Sequence, residues 1–233
     1  MNVDARRLAR AVVLSMWAGF FIWLRMSGEV TRYLGPRTYW VVTFGGAVLA
    51  AGALVHFGTV RTRRPTSPLK VREGLGMLLL ILPVLAVVIV PGADLGALAA
   101  SRRNAATGIA SVSAIIPEPD TEREVQFLDI HYANQSEQYA GAMGIVEGLD
   151  VELTGFVTHP SELEGGTFAL TRFYVSCCAA DAIPYSVMVA GEPDYPDDTW
   201  LNVSGSLMRA GGRFVLSPES VERVEKPKDP YLY

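Results

Sequence analysis

Two adjacent cysteines, Cys177 and Cys178, are the only cysteines of the chain and the residues best suited to chemistry. They end an alternating run, 167–178, that predicts a β-strand. Successive side chains of a strand point to opposite faces, so we expect Cys177 in the core and Cys178 on the polar face. Adjacent α-carbons lie about 3.8 Å apart, below the usual disulfide range of about 4.4–6.8 Å, so a bond between the two sulfurs would be strained.

Three roles stay open for this pair. In the first, Cys177 is a small buried hydrophobe and Cys178 is an incidental thiol. In the second, both bind a soft metal ion. In the third, both have a redox role. The pair lacks the C-x-x-C spacing of zinc sites and thioredoxins, so the motif does not decide between them. The cofactor is therefore left open, with a soft divalent metal ion as the candidate. The candidate metal or thiol site comprises Cys177, Cys178, Asp181, His131 and His159.

An enzyme is not expected, and no catalytic residue is assigned. The sequence has no P-loop, no G-x-S-x-G and no H-E-x-x-H motif. Redox cysteines need electropositive surroundings that lower the thiol pKa, and the local sequence supplies Arg172 but also Asp181.

Charge is divided unevenly along the 233 residues, which are 50% hydrophobic. Residues 1–99 carry 11 Lys and Arg against 4 Asp and Glu, whereas residues 100–233 carry 9 against 20. This asymmetry is typical of basic residues that flank membrane helices, followed by an acidic soluble domain. An acidic soluble domain argues against nucleic-acid binding, which needs a basic surface.

Three apolar runs predict a transmembrane region over residues 1–92, with spans at about 8–26, 39–57 and 75–91. The first run is not a signal peptide, because no small-residue cleavage site follows it. The runs 11–24, 39–57 and 75–90 contain no Asp, Glu, Lys or Arg, so we expect a bilayer anchor or a docking surface, not a transport path. Small residues at helical spacing predict the faces that dock on a partner: Ala11, Ser15 and Gly19 in the first span, and Gly46, Ala50 and Ala53 in the second.

The Lys and Arg residues also predict an orientation. The N-terminus carries three and the connector 58–74 carries five, against three in the connector 25–38. Because the richer side is cytoplasmic, we expect the N-terminus inside the bacterial cytoplasmic membrane and the C-terminal domain outside, although Arg102 and Arg103 favour the reverse.

The remainder predicts a stalk over 93–120, partly helical, and a soluble domain over 121–233. Helical spacing over 122–132 and a capped turn at 136–139 precede the predicted strands. Five short strands are expected at 151–157, 167–178, 185–189, 199–207 and 214–216. Glycines inside the first and fourth strands, where a barrel must bend, favour a small all-β, OB-like barrel over a β-sandwich. The fold class is therefore an α+β membrane protein.

Four parts of the sequence resemble the bacterial YcgQ-type permease subunits: 155–157, 172–173 with 176–182, 199–205 and 226–233. The resemblance extends to the membrane segments. It implies an accessory membrane-anchored subunit of a two-component permease, docked on a larger polytopic subunit. Members of that family often carry a His-rich connector between the second and third spans, which implies metal ions. The connector 58–74 of this chain contains no His, and this departure weakens that implication.

Overall fold

The computed structural model describes residues 2–62, 70–89, 95–106, 124–160, 167–191 and 195–233. The chain forms two compact units, Met1–Asp94 and Leu95–Tyr233. Each unit has its own packing.

The first unit consists of three helices and a short clip. The helices are α1 (Ala5–Ser27), α2 (Tyr39–Gly58) and α3 (Val71–Ile89), and the clip pairs β1 (Asn2–Val3) with β2 (Arg61–Thr62). Each helix is long and apolar enough to cross a membrane, by length and composition, as the three predicted spans require. Helix α1 begins at Asp4, whose carboxylate accepts the N–H groups of Arg6 and Arg7, and it ends at Gly28 in the left-handed region.

Close approach of α1 and α2 depends on small residues. A Cβ atom added to Gly45 would lie 3.1 Å from the ring of Phe21 on α1. Helix α3 joins α1 through Trp17, whose indole N–H donates to the carbonyl of Leu80 at 3.0 Å. Helix α3 continues through Pro83, which cannot donate a backbone hydrogen bond.

The clip gathers three chain segments at one end of this unit. Strands β1 and β2 are antiparallel, with Asn2 opposite Thr62. Arg7 donates to the carbonyl of Thr59 at 3.1 Å, and Arg6 forms an ion pair with Glu73, at the start of α3, at 3.1 Å. The beginning of the chain and both described ends of the second connector therefore lie together.

The second unit is an OB-like barrel with three helices. The helices are α4 (Ala97–Ala106), α5 (Phe127–Gln135) and α6 (Glu137–Ala142). The strands are β3 (Asp150–Thr158), β4 (Thr167–Tyr174), β5 (Ile183–Ala190), β6 (Trp200–Ala210), β7 (Arg213–Arg223) and β8 (Tyr231–Leu232). The barrel order is β3-β6-β7-β5-β4, and β4 pairs back onto β3 to close it. Of the five barrel pairings, only β5 with β7 is parallel. This closed mixed barrel confirms the predicted fold.

Two glycines allow the strands to bend where the sequence predicts. A Cβ atom on Gly155 would lie 2.8 Å from the carbonyl oxygen of Thr171. One on Gly205, beside a bulge in the pairing of β6 with β7, would lie 2.1 Å from the carbonyl oxygen of Ser217. Real Cβ atoms do not approach that closely, so both bends require glycine.

Helices α5 and α6 pack against the barrel core through buried polar contacts as well as apolar ones. Tyr139 donates its hydroxyl hydrogen to the buried Asp129 carboxylate at 2.9 Å, and the Asn134 side-chain oxygen accepts the Phe214 N–H. Ser136 caps α6 by accepting the N–H of Tyr139, as the capped turn predicted.

Three elements differ most from the sequence prediction. Strand β4 ends at Tyr174 and does not reach Cys178, β7 is far longer than three residues, and α5 begins at Phe127, later than residue 122. Within the predicted stalk, residues 97–106 form α4, which packs on the barrel, while 93–94 and 107–120 lie outside the described residues.

Candidate functional site

The two cysteines lie in a tight loop between β4 and β5. Strand β4 ends at Tyr174. The N–H of Val175 still donates to the carbonyl of Leu232 at 2.9 Å, and the N–H groups of the three residues that follow donate to the side chain of Asp181. Cys177 is exposed and Cys178 is half-buried. The prediction that Cys177 belongs with the core is therefore wrong, because the alternation of a strand does not extend into this loop.

Asp181 organises the loop backbone. Its carboxylate accepts the N–H groups of Ser176 at 3.1 Å, Cys177 at 2.8 Å and Cys178 at 3.4 Å. The Asp181 N–H returns to the carbonyl of Cys178 at 3.0 Å. Partial burial opposes ionisation of this carboxyl, but the hydrogen bonds from the Cys177 thiol and the three backbone groups outweigh it and lower the pKa of Asp181.

The two thiols are neighbours, and one of them bonds the Asp181 carboxylate. The Cys177 and Cys178 sulfur atoms lie 3.8 Å apart. Hydrogen bonding of the Cys177 thiol to the Asp181 carboxylate, followed by its contact with Cys178, raises the pKa of Cys177 to about 11. Cys177 is consequently a protonated thiol at neutral pH in the metal-free loop, which does not suit a thiolate nucleophile.

One ligand atom from each of Cys177, Cys178 and Asp181 lies within 4.8 Å of the other two. Among the described residues, this is the only group of three or more His, Cys, Asp or Glu side chains close enough to hold a metal ion. Two sulfurs and a carboxylate oxygen are ligands that a zinc-like cation accepts.

Helix α4 supports the loop from outside. Arg103 donates to the carbonyls of Ala182 and, at 3.1 Å, of Ala179, and its guanidinium lies 5.8 Å from the ring centre of Phe173. In the sequence, Arg103 is recognisable only as a charge that flanks the third span. No sequence signal links a residue on an Ala-rich segment to a loop 76 residues later.

The loop is also anchored at both ends in a small apolar cluster. Val175 and Ala182, which flank it, are buried with Phe156 and Phe173 of the barrel and with Ala100 of α4. The N-terminus of α4 is held by Asp198, whose carboxylate accepts the Ala97 N–H at 2.5 Å.

The two histidines predicted as further ligands lie with other partners. His131 on α5 packs edge-on against Tyr185, with ring centres 4.9 Å apart, and hydrogen-bonds Gln135 at 2.8 Å; burial lowers its pKa. His159 pairs with Asp197 at 2.8 Å. Neither joins the thiol group.

Arg172, the basic residue expected near the thiols, serves the C-terminal segment. Its guanidinium donates to the carbonyls of Thr154, Asp229 and Pro230 at 3.4, 2.9 and 3.3 Å. Burial lowers its pKa, and the charge of Asp229 opposes that effect.

The six helix residues predicted to dock on a partner differ in their burial. Ala11, Gly46 and Ala53 are buried within the three-helix unit, so their small side chains serve the packing of the chain itself. Gly46 lies against Phe21. Ser15 and Ala50 are half-buried, and only Gly19 of the six is exposed, with nothing within 4 Å of an added Cβ atom.

Comparison with known families adds one match. Residues 106–233 match the family described as the DUF1980 C-terminal domain. The match begins at the last residue of α4 and includes the barrel and the thiol loop. No curated protein matches the chain.

Proposed function

This chain belongs to the DUF1980 family, and on that premise we propose that it is an accessory membrane-anchored subunit of a two-component permease. Its helices dock on a larger polytopic subunit of YcgQ-type systems, and its barrel domain lies outside the cytoplasmic membrane. The observation that carries the proposal is the set of three membrane-length helices joined to an OB-like barrel.

The helices are suited to anchoring and docking and not to conduction. The three apolar runs lack Asp, Glu, Lys and Arg, whereas transport paths carry buried charged or polar side chains. Only 6% of the most apolar stretch of α3 is buried within the chain, so most of that helix is left to face lipid or another protein.

Gly19 supports a docking role for α1. An exposed glycine on a membrane helix lets a second helix approach closely, and no atom of the described residues lies within 4 Å of a Cβ atom added to Gly19. The other small residues of this face are already used internally or partly covered.

The basic residues support the orientation. Arg6, Arg7 and Arg61 lie at the same end of the helical unit, because the clip joins β1 to β2. A concentration of Arg at one end of a helix set favours the cytoplasmic side for that end.

The test is purification of the tagged chain from its native membranes in a mild detergent, with quantification of a stoichiometric polytopic partner. We expect Gly19→Leu to lower the recovered partner about tenfold, which corresponds to about 1.4 kcal/mol. Val12→Leu, an exposed change on the same helix, is the matched control. A chain that always purifies without a polytopic partner, or a complex indifferent to Gly19→Leu, would contradict the proposal.

A second function of a different class is favoured by the convergence of Cys177, Cys178 and Asp181. It is an extracytoplasmic metal-binding or thiol-sensing module on a membrane anchor. Metal affinity that survives replacement of the two cysteines by serine would remove its basis.

A further inference from the structure

We infer that Cys177 and Cys178 form the chelating half of a tetrahedral site for a thiophilic divalent cation of the Zn²⁺ class, with Asp181 as third ligand and a fourth position open to solvent. The inference rests on the second function above and specifies its ligand and geometry. The geometry, the third ligand and the open position each follow from the contacts of the loop.

The separation of the sulfurs selects the geometry. Two thiolates on a tetrahedral ion at about 2.3 Å each lie about 3.8 Å apart, whereas a linear ion at the same bond length needs about 4.6 Å. A disulfide needs about 2.0 Å. The measured separation of the Cys177 and Cys178 sulfurs is 3.8 Å. The pair is therefore already spaced for tetrahedral chelation.

The carboxylate is within reach of the same ion. A sulfur and an oxygen on one tetrahedral zinc lie about 3.6 Å apart, and the three ligand atoms of this group are within 4.8 Å of one another. A carboxylate has about four lone-pair positions. Three backbone N–H groups and the Cys177 thiol now use them. Loss of the thiol proton on metal binding vacates one position for the cation.

Charge balance favours this exchange. A dication replaces two thiol protons, which pass to solvent, and the two sulfurs become thiolates. The formal charge of the group, counting Asp181 as a carboxylate, is −1 before and after. The loop therefore takes up the ion without acquiring a net charge.

The loop backbone is held on three sides before any ion arrives. Asp181 holds the N–H groups of 176–178, Arg103 holds the carbonyls of Ala179 and Ala182, and Leu232 holds the N–H of Val175. A site ordered in advance loses little conformational entropy on binding, which favours affinity for an ion.

Three ligands leave one coordination position free. Structural zinc sites have four protein ligands, whereas sites that exchange ligands keep a position open. Within the described part of the chain, no fourth His, Cys, Asp or Glu joins the group, and Cys177 is exposed. The site is thus built to accept a cation and to release it to another ligand.

The experiment titrates the reduced full-length protein in detergent with Co²⁺, a spectroscopic substitute for Zn²⁺, and then displaces Co²⁺ with Zn²⁺. We expect one ion per chain, with a thiolate-to-cobalt charge-transfer band and the intense visible bands of tetrahedral cobalt. Changing a residue that supports a ligand costs about 10–100-fold in metal affinity, so Cys177→Ser or Cys178→Ser should weaken binding at least about 100-fold. Asp181→Asn should weaken it about tenfold or more, while Asp197→Asn, the same change at a carboxylate that pairs with His159, is the matched control and leaves it unchanged.

The open position has its own readout. Addition of a small thiol should shift the visible cobalt bands of the wild type, because it occupies the fourth position. No thiolate band, a band unaffected by either cysteine change, weak octahedral-type visible bands or indifference to added thiol each overturn the inference. Isolation of the pair as a disulfide that a mild reductant does not open also overturns it.

These outcomes separate the inference from the proposed functions. A thiolate band without tetrahedral geometry, or without an open position, overturns the inference and leaves a metal-binding module. Metal binding that persists in the double cysteine variant removes both the site and the module. Recovery of the polytopic partner with that double variant tests the accessory-subunit proposal separately.

Discussion

At the scale of single residues, Asp181 is the side chain on which the thiol loop depends. It accepts three successive backbone N–H groups and also the proton of the Cys177 thiol. The same carboxylate thus shapes the loop and keeps Cys177 protonated, because it accepts the hydrogen bond of the thiol and its negative charge also opposes ionisation.

Asp181→Asn should therefore make Cys177 more reactive. An amide has one acceptor oxygen, which can keep the N–H groups of Cys177 and Cys178, whereas its NH2 group cannot accept the Ser176 N–H. The carboxylate that accepts the Cys177 thiol hydrogen is gone, so the pKa of Cys177 should fall from about 11 towards its ordinary value. At a pH below the lowered pKa, the thiolate fraction of Cys177 rises about tenfold for each unit by which its pKa falls. Alkylation rates measured against pH in a Cys178→Ser background, without metal, will show this. Asp197→Asn is the control, and an identical rate profile in both variants would refute the role of Asp181.

Gly205 offers a prediction on the barrel itself. Gly205→Ala should destabilise the barrel by about 1–3 kcal/mol, as overpacking does, because the new Cβ atom would meet the carbonyl oxygen of Ser217 at 2.1 Å. Gly141→Ala, in α6 with open space around it, should instead be neutral or stabilise by up to about 1 kcal/mol. Urea unfolding of the barrel, followed by limited proteolysis, measures both, and equal stabilities would contradict the account of the bend.

At the scale of elements, α4 acts as a brace for the thiol loop. Asp198 holds its N-terminus, its apolar face packs on Phe156 and Phe173, and Arg103 reaches the loop carbonyls. Since hydrogen bonds to a charged group contribute about 1.5–3 kcal/mol each, the brace matters to the local stability of the loop.

Arg103→Ala should free the loop without unfolding the barrel. We expect faster amide exchange over residues 176–183 and faster alkylation of Cys178, while exchange in β6 and β7 stays unchanged. Arg102→Ala, an exposed neighbour on the same helix, should leave all of these rates as they are. A loop equally protected in both variants would show that Arg103 does not brace it.

Patterns within an element could be predicted from the sequence, and contacts between distant elements could not. Apolar runs gave the three spans, and alternation with turn residues gave the five strands and the barrel. The end of β4 depends on Asp181 and the brace depends on Arg103, and alternation encodes neither contact. Cys177, Cys178 and Asp181 were predicted together because they are close in sequence. His131 and His159 were added by residue type alone and lie elsewhere.

At the scale of the whole molecule, the question is which aqueous compartment holds each end of the helical unit. The chain carries its own reporter, because Cys177 and Cys178 are its only cysteines. Cys177 is exposed in the folded domain.

A membrane-impermeant maleimide should therefore label the native cysteines in intact cells if the barrel domain lies outside. In a background with both cysteines changed to Ser, Lys70→Cys on the second connector should be labelled only after the membrane is opened. If Lys70→Cys is labelled in intact cells and the native cysteines only after the membrane is opened, the orientation is the reverse of the one proposed. The variant without any cysteine is the negative control.

The closed order of the barrel also governs how quickly the domain reaches its native state. Barrel closure requires β3 to pair with β6, where Asp150 lies opposite Ser206. The parallel pairing of β5 with β7 also joins residues that are distant along the chain. Barrels dominated by such pairings fold in roughly milliseconds to seconds, whereas helical bundles need roughly microseconds to milliseconds. During that interval the free edge of β3 is open to pairing with other chains. At high concentration, newly synthesised domains are therefore most prone to aggregation before β6 has paired with β3.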